Sequence, residues 1–288
     1  MSAQNWLIQL SRESAEFARL YQELQEVKTV DRTLRIAVCG LMNAGKSALL
    51  NALTGHLENE FFETKAVRST KTVQTLIHGG VTYVDTPGID ANNEDDQHAW
   101  RGLATADIIL FAHNLNTGTL ETVEIDFLKE LKRRRPDIED NLLVVLTHAE
   151  SASQQRQDRL DAISAILAAL FKAPRTLIPT SFTTYRKGVL EQKPALIEHS
   201  GINVLHHYLK ALIERGESEL HIARRARDKQ RLSELEAIVD SAVAKRERAL
   251  AAVEAKQSQA FLVLSQSVSQ LVSSARERIS RCETLESD

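Results

Sequence analysis

Cysteine is nearly absent. Cys39 and Cys282 are the only two in 288 residues, far apart in sequence, so neither a disulfide framework nor a metal site is suggested. Aromatic residues are sparse at 5%. The net charge of -3 argues against general nucleic-acid binding, which favours a basic domain. No uninterrupted apolar stretch is long enough to cross a bilayer. Residues 1–5 show no basic stretch leading into an apolar core, so no signal peptide is expected. What is present is an ordinary apolar fraction of 43%, enough for a core. The length accommodates about two domains, or one α/β domain with helical additions. A soluble, cytoplasmic protein is expected, with a peripheral place at a membrane as an option.

Glycine and proline are unevenly spread, and this divides the chain. All five prolines and all eleven glycines fall between Thr33 and Gly216. Residues 1–32 have neither. There Trp6, Leu7, Leu10, Phe17, Leu20, Tyr21 and Leu24 recur at helical spacing, which predicts an amphipathic helix or helix pair whose stripe needs a partner. Residues 33–215 alternate short apolar runs with helical patterns, the mark of βαβ units in a mostly parallel sheet. Strands are expected at Leu34–Cys39, Val73–His78, Val81–Asp85, Asp107–Ala112, Leu142–Thr147 and Thr176–Thr180. Gly79-Gly80 signals a hairpin between the second and third, so one strand should run antiparallel. Helices are expected at Lys46–Leu53, 100–104, Glu121–Arg134, Asp158–Phe171 and Ile202–Arg215. Residues 216–288 lack glycine beyond Gly216 and lack proline, and mostly follow three-four apolar spacing interrupted by Arg246, Lys256 and Gln257. One or two long helices are expected, packed on each other, on the N-terminal helix or on another subunit.

Chemistry concentrates at Gly40 to Ser47, Gly-Leu-Met-Asn-Ala-Gly-Lys-Ser, which fits GxxxxGK followed by Ser or Thr. An apolar run precedes it and a helix-forming run, Ala48 to Leu53, follows it. Strand, glycine turn and helix start aim successive backbone N–H groups, together with the helix dipole, at one point. There Lys46 reaches the outer phosphates of a nucleotide. Gly40, Asn43, Ala44, Gly45, Lys46, Ser47 and Ala48 are thus candidate phosphate-binding residues. A second motif, Asp85-Thr86-Pro87-Gly88, directly follows a strand. Asp85 at the strand end can hold a metal-bound water, and Gly88 lets its N–H approach the terminal phosphate.

With both motifs, the sequence resembles the translation-factor-related GTPases, in particular their Era-like and dynamin-like branches. The likeness covers the middle segment and not the ends. It implies a P-loop three-layer α/β/α domain with a mostly parallel six-stranded sheet, flanked by helices that form a bundle. It also implies GTP and GDP as ligands, Mg²⁺ held by Ser47 and Asp85, and a switch threonine between the motifs, for which Thr70 is chosen and Thr72 is the alternative. The guanine motif of the family, NKxD or TKxD, is replaced after the fifth strand by Thr147-His148-Ala149-Glu150. Thr-His-Ala is similar to the variant in chloroplast outer-envelope import GTPases, where histidine covers the base. Glu150 keeps a carboxylate acceptor on a longer stem, so guanine is favoured over adenine. Ser181 matches the serine of the family's last base-contacting turn.

Small signalling GTPases orient the attacking water with a glutamine after the DxxG glycine. Here that position is Ile89, which cannot. Asn43 resembles the asparagine that ligates K⁺ in cation-dependent members, which would make the loop catalytic through Lys46, Asn43, Thr70 and Gly88. The alternative is that Asn43 only tolerates the loop's backbone angles. The resemblance implies a homodimer through the GTPase domain, or a helical protein partner, as stimulator and reader of the nucleotide state. Membrane association is compatible with it, and nucleic acid is disfavoured. An Era-like ribosome-assembly role and a nucleotide-binding scaffold with little turnover are the alternatives. The basic run from Arg224 to Arg231 reads as a solvated helix face more readily than as a site for anionic lipid or nucleic acid. Lys132-Arg133-Arg134-Arg135 complements the dipole at a helix end.

Overall fold

The computed structural model describes residues 3–29, 33–63, 73–89, 100–151, 155–173 and 175–285. The chain separates into two compact units, residues 19–230 and residues 1–18 with 231–288.

In the larger unit, six strands form one sheet: β1 (Leu34–Cys39), β2 (Gln74–His78), β3 (Val81–Asp85), β4 (Ile108–Asn114), β5 (Leu142–Thr147) and β6 (Leu177–Pro179). Their order is β2-β3-β1-β4-β5-β6. Only β2 runs antiparallel, against β3. The turn between them is Gly79-Gly80, both at positive φ (58° and 78°), the conformation that a two-residue hairpin requires. All other pairs are parallel, and the central strands are buried at nearly every position, as a sheet covered on both faces must be.

The cover comes from α3 (Lys46–Thr54), α4 (100–104), α5 (Thr122–Arg134), α6 (Arg156–Leu170), α7 (Phe182–Leu190), α8 (Pro194–His199) and the first turns of α9 (Ile202–Leu285). Side chains alternate along each strand, so β1 sends Ile36 and Val38 to one core and Ala37 and Cys39 to the other. The first core is closed by Leu50 and Leu53 of α3 with Ile202, Leu205 and Leu209 of α9. The second is closed by Leu103, Leu128, Ile163 and Leu167 from α4, α5 and α6. This is the expected three-layer arrangement. Cys39 is a buried filler, its thiol pushed far up by burial.

Two expectations are corrected. The helix starting at Ile202 does not stop at Arg215; it runs on as one element to Leu285. Gly216 costs a helix interior about 1 kcal/mol, which is not enough to break it without a proline. The pair α7 and α8 stands where the sequence pattern predicts no helix. Gly188 is a packing device, since a Cβ there would meet the Ile197 backbone nitrogen at 2.8 Å.

In the smaller unit, the helix pair takes the form of α1 (Ala3–Glu13) and the start of α2 (Ala15–Thr29). Ser14 separates them and caps the second, its hydroxyl accepting from the Phe17 backbone N–H at 3.1 Å. Glu13 pairs with Arg246 of α9 at 3.1 Å, and that guanidinium lies over the Trp6 ring. No helix among the described residues is long and apolar enough to cross a membrane.

Candidate functional site

The loop from Gly40 to Ser47 joins the C-terminal end of β1 to α3. Its backbone depends on residues that accept a left-handed twist: Asn43 at φ 62° and Gly45 at φ 78°. Gly40 answers a different need. A Cβ on it would lie 2.1 Å from the Ala112 carbonyl of β4, so no other residue lets the loop start this close to the sheet. The Lys46 ammonium is folded back into the loop, donating to the carbonyls of Gly40 (3.1 Å) and Leu41 (2.8 Å). Ala44 is buried, Ala48 half-buried and Asn43 exposed.

The β1–β3 register sets Val38 beside Asp85, which carries the second motif to the loop. The Ser47 hydroxyl donates to Asp85 Oδ2 at 2.7 Å. Thr86 is tied down by its hydroxyl donating to the Val38 carbonyl at 2.7 Å. The Ile89 N–H donates to the Gly40 carbonyl at 3.3 Å, so Gly88 is held against the loop. Asp85 is fully buried, and its Oδ1 has no partner among the described residues. Burial raises its carboxyl above the ordinary range, against the pull of the Ser47 hydroxyl and Lys46. A buried carboxylate oxygen left over beside a serine hydroxyl is the hard-oxygen donor set that suits Mg²⁺. Thr70 and Thr72 lie outside the described residues.

The candidate base-side residues also gather. Thr147 ends β5, and its hydroxyl donates to the Ala44 carbonyl (2.8 Å) and to that of His113 (3.2 Å), locking this end of the strand to the phosphate loop. His148 follows at φ 56°, with Nδ1 3.1 Å from the Thr147 hydroxyl. The turn beyond is bound to the end of β6 by Ala149 N–H to Thr180 carbonyl, 3.1 Å. This brings Glu150 to Ser181, the N-cap of α7. The Thr183 hydroxyl donates to Glu150 Oε1 at 2.8 Å. Burial pushes the Glu150 carboxyl up, but its own backbone N–H, the Ser181 and Thr183 hydroxyls and His148 together outweigh it, and it lies below the ordinary range.

The family described as 50S ribosome-binding GTPase matches residues 35–148, from β1 through the threonine and histidine of the base turn. This segment is a P-loop GTPase domain.

Among relatives of the GTPase domain, an uncharacterised protein of Acinetobacter baylyi is 33% identical over 205 residues, covering 70% of this chain and 46% of its own length. The tRNA modification GTPase MnmE of Verminephrobacter eiseniae is 27% identical, covering 61% and 39% respectively. A solved bacterial dynamin pair, described as oligomerised and as sensing and tethering membranes, matches 96% of this chain and 52% of its own at 18% identity and a TM-score of 0.55. That likeness concerns the fold. The chain spans about half or less of the length of these relatives.

Ile89, the residue in the glutamine position, packs into the second core with Leu103 and Leu115, so its side chain cannot face a phosphate. Two features of the GTPase domain were missed from sequence. Thr183 carries no local motif, and its contact with Glu150 depends on α7. His113 lay inside an apolar strand run, yet its ring is bound on both sides and buried: Nδ1 is 2.9 Å from Glu124 Oε1, and Nε2 is 3.1 Å from the Gly118 carbonyl. Glu124 also accepts from the Glu121 N–H at 2.8 Å, completing a capping box on α5. That box could have been read from the two glutamates.

Two basic clusters are corrected. The run from Arg224 to Arg231 is only in part a solvated face: Arg225 and Lys229 are exposed, but Arg227 and Arg231 are buried. Arg224 and Arg227 both pair with Asp107, which is fully buried at the start of β4. Arg135 does more than complement a dipole. It is buried, donates to the Leu103 and Ala106 carbonyls, and pairs with Asp137.

Proposed function

We propose that the domain binds GTP with Mg²⁺ and hydrolyses it to GDP and phosphate, acting as a switch whose state is passed to the helical segments. The observation that carries this is the joint between the two phosphate motifs, where Ser47 bonds Asp85 and Asp85 Oδ1 is buried without a partner among the described residues. In this reading Lys46 leaves the Gly40 and Leu41 carbonyls for the outer phosphates, aided by the N–H groups from Asn43 to Ala48 at the start of α3. Ser47, Asp85 and Thr70 hold the metal, which neutralises charge on the phosphates. Gly88 senses the terminal phosphate, and its loss would release the segment that bears it. Glu150 accepts from the guanine N–H groups, Ser181 and Thr183 orient it, and Thr147 and His148 line the base.

With Ile89 buried, water must be oriented by another group. In this reading Asn43, exposed on the loop, ligates K⁺, and its left-handed φ also meets the loop's backbone demand. Stimulation by a second GTPase domain or by a helical partner fits the same gap. The fold-level likeness to a bacterial dynamin supports a dynamin-like role over an Era-like one, and is compatible with peripheral action at a membrane. The burial of Ile89 also favours a second reading, a nucleotide-dependent scaffold with little turnover.

The test is phosphate release from GTP by wild type and Lys46→Ala, in sodium and in potassium buffers, with GTP and ATP affinities measured alongside. Hydrolysis is expected in wild type, faster in potassium, and absent in the variant. Equal release by both proteins would remove the enzymatic reading, and tight GTP binding without release would leave the scaffold.

A further inference from the structure

Beyond Arg246 the second half of α9 carries a stripe with nothing on it among the described residues. Leu250, Val253, Phe261, Leu264, Val268 and Leu271 follow the helical repeat of about 3.6 residues along one face. Phe261 is 72% exposed, Leu264 62%, Val268 50% and Leu271 70%. The same stripe is already used as a helix-packing surface, since Arg246 on it receives Trp6 and Glu13 of α1. Past that contact the stripe continues bare.

Residues 257–275 add a second observation. They contain no Asp, Glu, Lys, Arg or His, in a chain that is 26% charged. An exposed helix ordinarily keeps charges on its solvent face. A helix that lies on anionic lipid places Lys and Arg there, and this stretch has none. The order of its side chains is also close to a mirror about Gln266. Leu264 matches Val268, Phe261 matches Leu271, Ala260 matches Val272, Ser258 matches Ser274 and Ser265 matches Ser267. Three pairs break the mirror: Leu262 with Gln270 and Val263 with Ser269, which fall off the stripe, and Gln257 with Ala275 at its two ends.

We propose that residues 257–275 pair with the same residues of a second copy of this chain, antiparallel, with the seam centred at the level of Gln266, which itself lies on the opposite face of the helix. In the mirrored register the apolar residues of the stripe lie opposite apolar residues. Leu264 of one copy lies beside Val268 of the other, and Phe261 beside Leu271. The uncharged stretch lets the two helices meet with no buried or opposed charge, where a charged sequence would be costly. Its length, about 28 Å at 1.5 Å per residue, gives a seam of about five turns, which the bare positions Leu250 and Val253 extend. This surface is separate from the nucleotide site and holds whether or not GTP is hydrolysed.

The experiment uses the full chain in sedimentation equilibrium, with Leu264→Asp/Leu271→Asp and, on the opposite face, Gln266→Glu. Wild type and Q266E are expected to be dimers. The double variant should associate about ten thousandfold more weakly, at about tenfold for each of the four leucines lost from the seam. Its helix content and GTP affinity should be retained, because both leucines are exposed in the single chain. Spin labels on Ser274→Cys, in a Cys282→Ser background, give the direction. The antiparallel pair sets the labels about 24 Å apart along the axis, whereas a parallel pair sets them about 10 Å apart. A monomeric wild type overturns the proposal, whether it stays in solution or sediments with lipid vesicles. A dimer that the double variant leaves intact, or the short label distance, overturns it as well.

Discussion

Replacing Asp107 with alanine should be among the most damaging substitutions in the GTPase domain that leave the nucleotide site untouched. Asp107 is completely buried. One oxygen accepts from the Arg35 backbone N–H at 2.9 Å, and the two oxygens together take two donors from Arg224 and one from Arg227. Removing one partner of a buried charge pair costs about 3–5 kcal/mol, because the other charge stays behind uncompensated. Here the loss is cushioned for both arginines. Arg227 keeps Asp137 at 3.2 Å and the Ala106 carbonyl at 3.0 Å. Arg224 keeps the Thr33 carbonyl and the attraction of the Asp228 carboxylate. The cost therefore belongs at the lower end, about 3 kcal/mol. With a urea slope of about 2 kcal/mol per M, the midpoint should fall by about 1.5 M. Trp6 and Trp100 are the only tryptophans, so a Trp6→Phe background leaves Trp100, stacked on Phe127 and Arg134, as a reporter of the larger unit. Arg224→Ala should cost less, since that side chain is partly exposed, and the double variant should cost less than the sum of the two. A loss under about 1 kcal/mol for Asp107→Ala, or strict additivity with Arg224→Ala, would refute the reasoning.

Asp137 supplies a pH test. Burial pushes its carboxyl up, but Arg135 and Arg227 outweigh this and hold it below the ordinary value. A depressed folded value means that the stabilisation is present above about pH 4, the unfolded value, and is lost as pH falls through the lower folded one. Asp137→Asn should thus be less stable at neutral pH and show a flatter stability profile below about pH 4 in acid titrations followed by circular dichroism. Gly188→Ala must push its Cβ against Ile197 at 2.8 Å, and thermal melts should show a loss of about 1–3 kcal/mol. Glu150→Ala should erase the preference for GTP over ATP in a fluorescent-nucleotide competition assay. Thr183→Val should reduce that preference about three- to tenfold, the worth of one hydrogen bond, while Thr183→Ser retains it.

Much of this molecule was written locally. The strand runs, the Gly79-Gly80 hairpin, the phosphate loop and the Asp85–Gly88 turn each depend on residues close together in sequence. Their period, φ preference or lack of a side chain acts over a few positions, so β1 to β6 and α3 to α6 were legible within a residue or two of their ends. The identity of the loop's neighbours was legible for the same reason, because a parallel sheet with strand–loop–helix units brings strand ends to one edge.

Other features depended on residues distant in sequence. No local signal says that Arg224 and Arg227 reach Asp107, more than a hundred positions earlier, so a run of arginines looked like a solvated face until the burial of Arg227 and Arg231 corrected that in part. The length of α9 was decided by packing at its start and by the absence of proline, against the local cost of Gly216. Thr183 could not be connected to Glu150 until α7 existed, and α7 exists because Gly188 allows α8 to close on it. Sequence by itself determined the fold class, the phosphate chemistry and the apolar stripe of the last helix. Tertiary structure decided which polar groups are buried and paired, because burial is a property of the whole chain and desolvated charges are stable only where distant partners meet them.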